Sequence, residues 1–266
     1  MIDQSSVGSA LAADKAAFAA KIAAMLPGAA AYDDGTLGWL DSGLPDSTFN
    51  FVYRSPGSPV EFAAATQRVV EHFGRRGLPF HWSLGVRADP AGAAGILQQR
   101  GLRLDEAEPA MLLDLAAPRV DEAPAAVPGL QFHPVADEDA LLTWTRIWGC
   151  GAPDEVVERW YQVYSTLPYG PDRALRMFIG TLASEPVATV YVHIVADAAT
   201  VHYVVTLPEY RRRGIGAAMT DLALREAHAA GCRIAVLTAS DFGIGVYRRL
   251  GFRDAGLVSN YIWRPD

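Results

Sequence analysis

The stretch Thr206-Leu207-Pro208-Glu209-Tyr210-Arg211-Arg212-Arg213-Gly214-Ile215-Gly216-Ala217 decides how this chain folds. Ahead of it runs Val201-His202-Tyr203-Val204-Val205, apolar and β-branched, which predicts a buried strand. Behind it, Ile215, Met219, Leu222 and Ala223 share one face of a helix that ends near Gly231. The unit is therefore a strand, a short turn, and a helix that opens on glycines and arginines. Such a turn aims unbonded helix N–H groups and the positive end of a helix dipole at one point. An anion is the natural guest, above all a phosphate or pyrophosphate. Gly214 and Gly216 place no side chain in its path. Taken alone, the stretch fits a tight turn with an exposed basic cluster equally well. No Lys-Ser/Thr follows the glycines, which argues against a nucleoside-triphosphate loop. Their spacing is not G-x-G-x-x-G, which argues against a dinucleotide fold.

A chain of 266 residues, half of them hydrophobic, holds one large domain or two small ones. A net charge of −7 argues against nucleic acid as a partner, despite the arginine triplet, and suits a cationic small molecule. Cys150 and Cys232 give neither a disulfide framework nor metal-ligand spacing. No metal is expected, and both cysteines are expected to be buried small residues of a protein in the reducing cytoplasm. The Ala-rich run Ser9–Met25 is broken by Asp14, Lys15 and Lys21, so it predicts an amphipathic helix and no signal sequence. No apolar stretch is long enough to span a membrane.

In the first half the pattern predicts a loop around Asp33–Ser47 and a strand over Phe49–Tyr53. A helix over Glu61–Phe73 follows, with Phe62, Ala65, Val69, Val70 and Phe73 near one face and Gly77 as terminator. A strand at Phe80–Leu84, a short helix Ala91–Gln99 and a strand Met111–Leu115 complete it. Ala116–Gly129, rich in Ala and Pro, is the expected boundary. The division is then residues 1–118, a linker 119–129, and a second domain 130–266. The second half predicts a strand Leu130–His133, helices near Asp137–Trp148 and Asp154–Thr166, and strands Met177–Leu182, Val187–Val195 and Val201–Thr206. A Ser184-Glu185-Pro186 turn joins the first two of these longer strands. After the glycine-rich helix come a strand Ile234–Thr238, a helix Gly243–Leu250 and a strand around Leu257–Trp263. The order is α/β (α+β), with a mixed, largely antiparallel sheet flanked by helices. The halves share an element order, which reads as an internal repeat. The first copy has Arg54-Ser55-Pro56-Gly57-Ser58-Pro59 where the second has its glycine-rich turn. Proline there removes N–H groups that a pyrophosphate would need.

Val204 through Gly216 resembles the acetyl-CoA pyrophosphate loop of the GNAT superfamily of N-acetyltransferases, with Arg211, Gly214 and Gly216 at its fixed positions. Leu237-Thr238-Ala239-Ser240, Gly243 and Val246-Tyr247-Arg248-Arg249-Leu250-Gly251-Phe252 resemble the next strand and helix of that superfamily. The match covers about residues 130–266, with the first half a degenerate GNAT-like copy. The resemblance implies a GNAT fold in tandem and an N-acetyltransferase that carries the acetyl group of acetyl-CoA to a primary amine. The acceptor would be a small molecule or peptide, attacked directly in a ternary complex. It implies that Tyr247 protonates the leaving thiolate: a phenol of pKa about 10 stays protonated where a thiol of pKa near 8.5 leaves. It further implies cofactor contacts from Val204, Val205, Thr206, Arg211, Arg212, Arg213, Gly214, Ile215, Gly216, Ala217 and Ser240. Ser240 stands where many relatives have asparagine; it also suits a cap for the helix at Gly243. Where many relatives have a glutamate base this chain has Thr200, which leaves His202, two residues on, and His193 as candidate bases. Trp144, Trp148, Trp160, Tyr161 and Tyr164 read either as core or as an aromatic wall for the amine, with Asp154, Glu155 or Glu158 attracting its charge. The missing glutamate keeps a second reading open, a non-catalytic acyl-CoA-binding or sensing protein. Whether the protein is a monomer or a homodimer is open at this point.

Overall fold

A computed structural model describes residues 4–86, 92–117 and 124–265. Residues 119–123 of the expected linker, and Ala91 at the expected start of the short helix, lie outside the described residues. The elements in chain order are α1 (Gln4–Met25), β1 (Ala30–Asp33), β2 (Gly38–Asp41), β3 (Phe51–Arg54), α2 (Pro59–Arg76), β4 (Phe80–Leu84), α3 (Ala93–Gln99) and β5 (Arg103–Asp114). Then come β6 (Leu130–Pro134), α4 (Glu138–Trp148), α5 (Asp154–Ser165), β7 (Leu175–Leu182), β8 (Glu185–Val195) and β9 (Ala198–Thr206). The last are α6 (Ile215–Ala229), β10 (Ile234–Thr238), α7 (Ile244–Arg249) and β11 (Arg253–Trp263). The chain forms two compact units, Met1–Ala110 with Ala255–Asp266, and Met111–Asp254. Strand β11 thus groups almost entirely with the first unit, while the end of β5 groups with the second.

In the first unit β1, β2 and β3 form an antiparallel meander, β3 pairs β4 in parallel, and β4 pairs β11 antiparallel. The hairpin β1–β2 corrects the expected loop at Asp33–Ser47. The polar residues that suggested a loop make the turn of that hairpin. Asp33 Oδ1 accepts from the Gly35 N–H, and Asp34 Oδ1 accepts from those of Thr36 and Leu37. These bonds, that from Leu37 foremost, hold the Asp34 carboxyl well below the usual range. Strand β5 begins at Arg103, earlier than expected, because its first half is charged and exposed and shows no apolar pattern. Helix α2 buries Phe62, Ala65, Val69 and Phe73 against Phe80 and Trp82, and Gly77 ends it at φ 63°. Helix α1 buries Val7, Ala10, Asp14 and Ile22, one face of its turns.

In the second unit β6, β7, β8 and β9 run antiparallel, and β9 pairs β10 in parallel. Each unit therefore holds an antiparallel meander followed by a long helix and a parallel strand, the shared order in which the sequence suggested a repeat. The β7–β8 turn falls one residue earlier than expected, with Ala183 and Ser184 at φ 51° and 70°. Both central residues at positive φ match the twist of a two-residue hairpin. Gly180 lets α6 close on β7: a Cβ there would stand 2.8 Å from Met219 Sδ. Asp137 caps α4 by accepting from the Ala140 N–H. Cys232 is buried, as expected, but Cys150 is exposed in the α4–α5 corner, where the chain turns at Gly149 and Gly151 too sharply to cover it. Among the described residues no helix is long and apolar enough to cross a membrane, and no His/Cys/Asp/Glu cluster is arranged for a metal.

Candidate active site

Between β9 and α6 the chain makes one 3-10 turn, Pro208–Tyr210, and then opens onto the helix. The loop is tied down at its start by the Leu207 N–H, which donates to the Val187 carbonyl at 2.9 Å. Arg212 and Gly214 both take positive φ, 60° and 81°, so consecutive N–H groups turn toward one side, as in an anion nest. Helix α6 has no side-chain cap; its N-cap is Gly214. Its first internal bond runs from the Ala218 N–H to the Gly214 carbonyl at 3.0 Å. The N–H groups ahead of it, at Ile215, Gly216 and Ala217, belong to the turn in which a helix cannot satisfy itself. Ile215 is 1% exposed, so its side chain serves the core and only its backbone faces the nest.

The glycines make room. A Cβ at Gly216 would lie 3.8 Å from Thr206 Oγ1 and 4.0 Å from Val204 Cγ1, so a longer side chain would fill the space over the end of β9. A Cβ at Gly214 would touch Val127 at 3.4 Å from a backbone that L-residues rarely adopt. Two of the three arginines bond within the loop. Arg211 Nε donates to the Thr206 carbonyl at 3.0 Å, and Arg213 donates to the Glu209 carbonyl at 3.2 Å while lying over the Tyr210 ring. Both brace the loop. A bare backbone nest in a cationic, glycine-lined cradle fits a diphosphate.

Strand β9 leads away from this cradle with two irregularities. Its parallel pairing with β10 ends at Thr200 and Val236, while β9 runs on to Thr206. The far half of β9 is thus open on that side. On the other side, Thr189 pairs Val205 and Tyr191 pairs His202, so Tyr203 and Val204 together oppose Val190. This is a β-bulge, with Tyr203 at φ 51°. A tyrosine in that region costs on the order of 1–3 kcal/mol and persists only where its surroundings fix it. Its ring packs 4.3 Å from that of Trp148 and 5.8 Å from that of Tyr191.

Tyr247, on α7, is 8% exposed and sits edge-on to Phe252. Its ring lies back over Gly243, where a Cβ would approach it to 2.7 Å. Ser240 is exposed, and its backbone carbonyl starts α7 by accepting from the N–H groups of Gly243 and Ile244. His202 is half-buried and stacks on Tyr191. His193 is fully buried, stacks on the same ring, and pairs with Thr200 in the ladder.

The aromatic residues separate into two sets. Trp144 and Tyr164 are fully buried and belong to the core. Trp148 and Trp160 are half-buried and stack at 4.1 Å. Gly149 lets α5 approach this closely, since a Cβ there would stand 2.6 Å from Val157 and 3.3 Å from Trp160. Around the outer part of α5, burial first and then Glu138, Glu158 and Asp139 push the Tyr161 phenol above its ordinary pKa. The surroundings of this stack are therefore acidic. Gly149 and the bulge at Tyr203 are site features that the sequence reading did not single out, and Gly243 entered it only as a position of the second signature.

Residues 140–252 match the model of the acetyltransferase (GNAT) family. Among solved structures, a GCN5-related N-acetyltransferase from Kribbella flavida superposes with a TM-score of 0.67 at 21% identity, over 94% of this chain and 95% of that one. A GCN5-related N-acetyltransferase from Sphaerobacter thermophilus gives 0.62 at 18%, over 88% and 83%. A tandem GNAT protein from the clavulanic acid biosynthesis pathway gives 0.57 at 16%, over 90% and 84%. No curated protein matches the chain. At these identities the superpositions speak to the fold, which extends over both halves, and the family model speaks to the second half, where acyl transfer is the family chemistry. The comparisons thus support a GNAT acetyltransferase domain at residues 140–252.

Proposed function

We propose that this protein is an acetyl-CoA-dependent N-acetyltransferase acting in the cytoplasm on a primary amine of a small molecule or peptide. The observation that carries the reading is the uncapped N-terminus of α6, with Gly214 as its N-cap, at the end of a strand that is open on one side. The nest N–H groups of Gly214 to Ala217, with the arginines, hold the diphosphate. The open half of β9, Val204 to Thr206, offers main-chain groups to the pantetheine arm, and Ser240 is assigned a contact with the same arm. The amine nitrogen bonds to the thioester carbon as the carbon–sulfur bond breaks. Tyr247 gives its proton to the departing thiolate, and the amine loses its extra proton to water or to His202. The half-buried rings of Trp148 and Trp160 and the acid groups near them suit a cationic acceptor. We assign this chemistry to residues 130–266 and none of it to residues 1–118, whose corresponding loop carries prolines.

Release of free thiol from acetyl-CoA over a panel of polyamines, amino acids and aminoglycosides tests the reading. Turnover with at least one amine is expected, and Tyr247→Phe lowers kcat by about 100-fold while CoA still binds. Tight CoA binding with no turnover over a wide panel would mark the protein as an acyl-CoA-binding module. Failure of CoA to bind would sink both.

A further inference from the structure

One residue near the end of the expected linker turns inward. Ala125, Ala126, Pro128 and Gly129 are exposed, while Val127 is half-buried and packs on the core of the second unit. The run Val127-Pro128-Gly129-Leu130 gives the reason. Proline presets φ for the second place of a β-turn, and Gly129 takes at the third place the positive φ, 79°, that a type II turn requires. The Leu130 N–H closes the turn on the Val127 carbonyl at 3.1 Å. Leu130 also opens β6 and pairs with Leu182, so the turn stands on a fixed base. Val127 is thereby carried to the start of α6. Its Cγ2 lies 3.4 Å from the point that a Cβ on Gly214 would occupy.

Gly214 is the N-cap of α6 and sits at φ 81°. Glycine enters positive and negative φ about equally well, so the residue does not hold that conformation by itself. A β-branched side chain laid against it takes the space into which its backbone would swing. We infer that the Val127–Leu130 turn is a strap on the diphosphate cradle, with Val127 a positioning residue that keeps Gly214 in its left-handed conformation. This rests on the acetyl-CoA reading above. The valine offers no polar group to the anion and acts only through the glycine. The coupling is reciprocal: by whatever factor a seated Val127 favours CoA, bound CoA favours the seated strap.

Three variants separate the strap from ordinary packing. Val127→Ala removes the contact. Gly129→Ala keeps the valine and unsettles the turn, because φ 79° strains alanine. Val127→Ile keeps the branch at Cβ. In the two alanine variants the calorimetric Kd for CoA is expected to rise about fivefold, as is KM for acetyl-CoA, while kcat at saturation stays at the parent value. Val127→Ile is expected to bind CoA within about twofold of the parent. A readout on the parent protein needs no variant: saturating CoA slows amide exchange at Leu130, whose N–H closes the turn, by about fivefold. Parent CoA affinity in both alanine variants, whether or not their melting temperatures fall, overturns the inference and leaves the acetyl-CoA reading standing. So does exchange at Leu130 that CoA leaves unchanged. A parent protein that binds no CoA removes that reading, and the strap's role with it.

Discussion

Helices α2 and α6 hold the same place in the two units, each after the last strand of a meander, and their first turns are built in opposite ways. Helix α2 satisfies itself. Ser58 caps it by accepting from the Glu61 N–H and donating to the Glu61 carboxylate, and Pro59 stands at the first position with no N–H to satisfy. The loop before it is also occupied, since Ser55 Oγ accepts from the Trp82 indole N–H at 2.9 Å. Glu61 brings a negative charge to the dipole end. Helix α6 has Gly214 in place of a cap, three arginines before it, and no acid in its first turn. A helix start that is complete within the chain has nothing left for a ligand. One left incomplete, at some cost in stability, keeps its donors for an anion.

The comparison can be broken most severely by completing α6. Gly214→Asp puts a carboxylate where the diphosphate is proposed to lie, in a left-handed conformation that strains aspartate less than most other side chains. Its expected cost is about 3 kcal/mol in CoA binding, or on the order of 100-fold in Kd, read by calorimetry. An unchanged Kd would mean that α6 is no more an anion site than α2. Gly243→Ala comes next. Gly243 sits at φ −89°, so alanine strains no backbone there, but its Cβ must displace the Tyr247 ring. A fall in kcat of about tenfold with CoA affinity retained is expected, since only the proposed proton donor moves. In the other direction, Ser58→Ala removes the cap of α2. It should lower the stability of the first unit by about 1 kcal/mol in urea titration and leave CoA binding as it was. A change in affinity would show that the two helix starts are not independent.

The smallest effect is a pH dependence confined to the first unit. Burial, and then the charge of Asp33, push the Tyr53 phenol up from 10.0 to about 12. A folded-state pKa above the unfolded one favours the protonated form in the fold. Its contribution is therefore whole below pH 10 and is lost as pH climbs from 10 through about 12. The Asp33 side chain that acts on it is 33% exposed, so solvent screening keeps the effect under about 1 kcal/mol. Tyr53→Phe should flatten the alkaline limb of the melting curve, and an unaltered limb would count against the assignment.

The parts of this fold that were legible in the sequence are those written in residue types. The glycine-rich turn, the helix faces of α2 and α6, and the strands Phe80–Leu84 and Ile234–Thr238 needed only spacing and apolar period. The β1–β2 hairpin was hidden because the aspartates that close its turn look like those of a loop. The first half of β5 was hidden because Arg103, Asp105, Glu106 and Glu108 break the apolar pattern of a strand. The bulge was illegible for a different reason. Tyr203 is an ordinary strand residue, and its φ of 51° follows from bonds made by Thr189 and rings brought by α4, which lie far from it in the chain. For the proposed site this meant that the glycine-rich turn was readable and the bulged geometry of β9 was not.

Strand β11 pairs with β4, so the first unit is begun early in synthesis and completed late. Its edge at β4 waits, without that neighbour, while the ribosome makes every residue of the second unit. A fragment stopped short of Ala255 would carry an unfinished first unit, and a nascent chain would depend on chaperones for longer than its order of elements suggests.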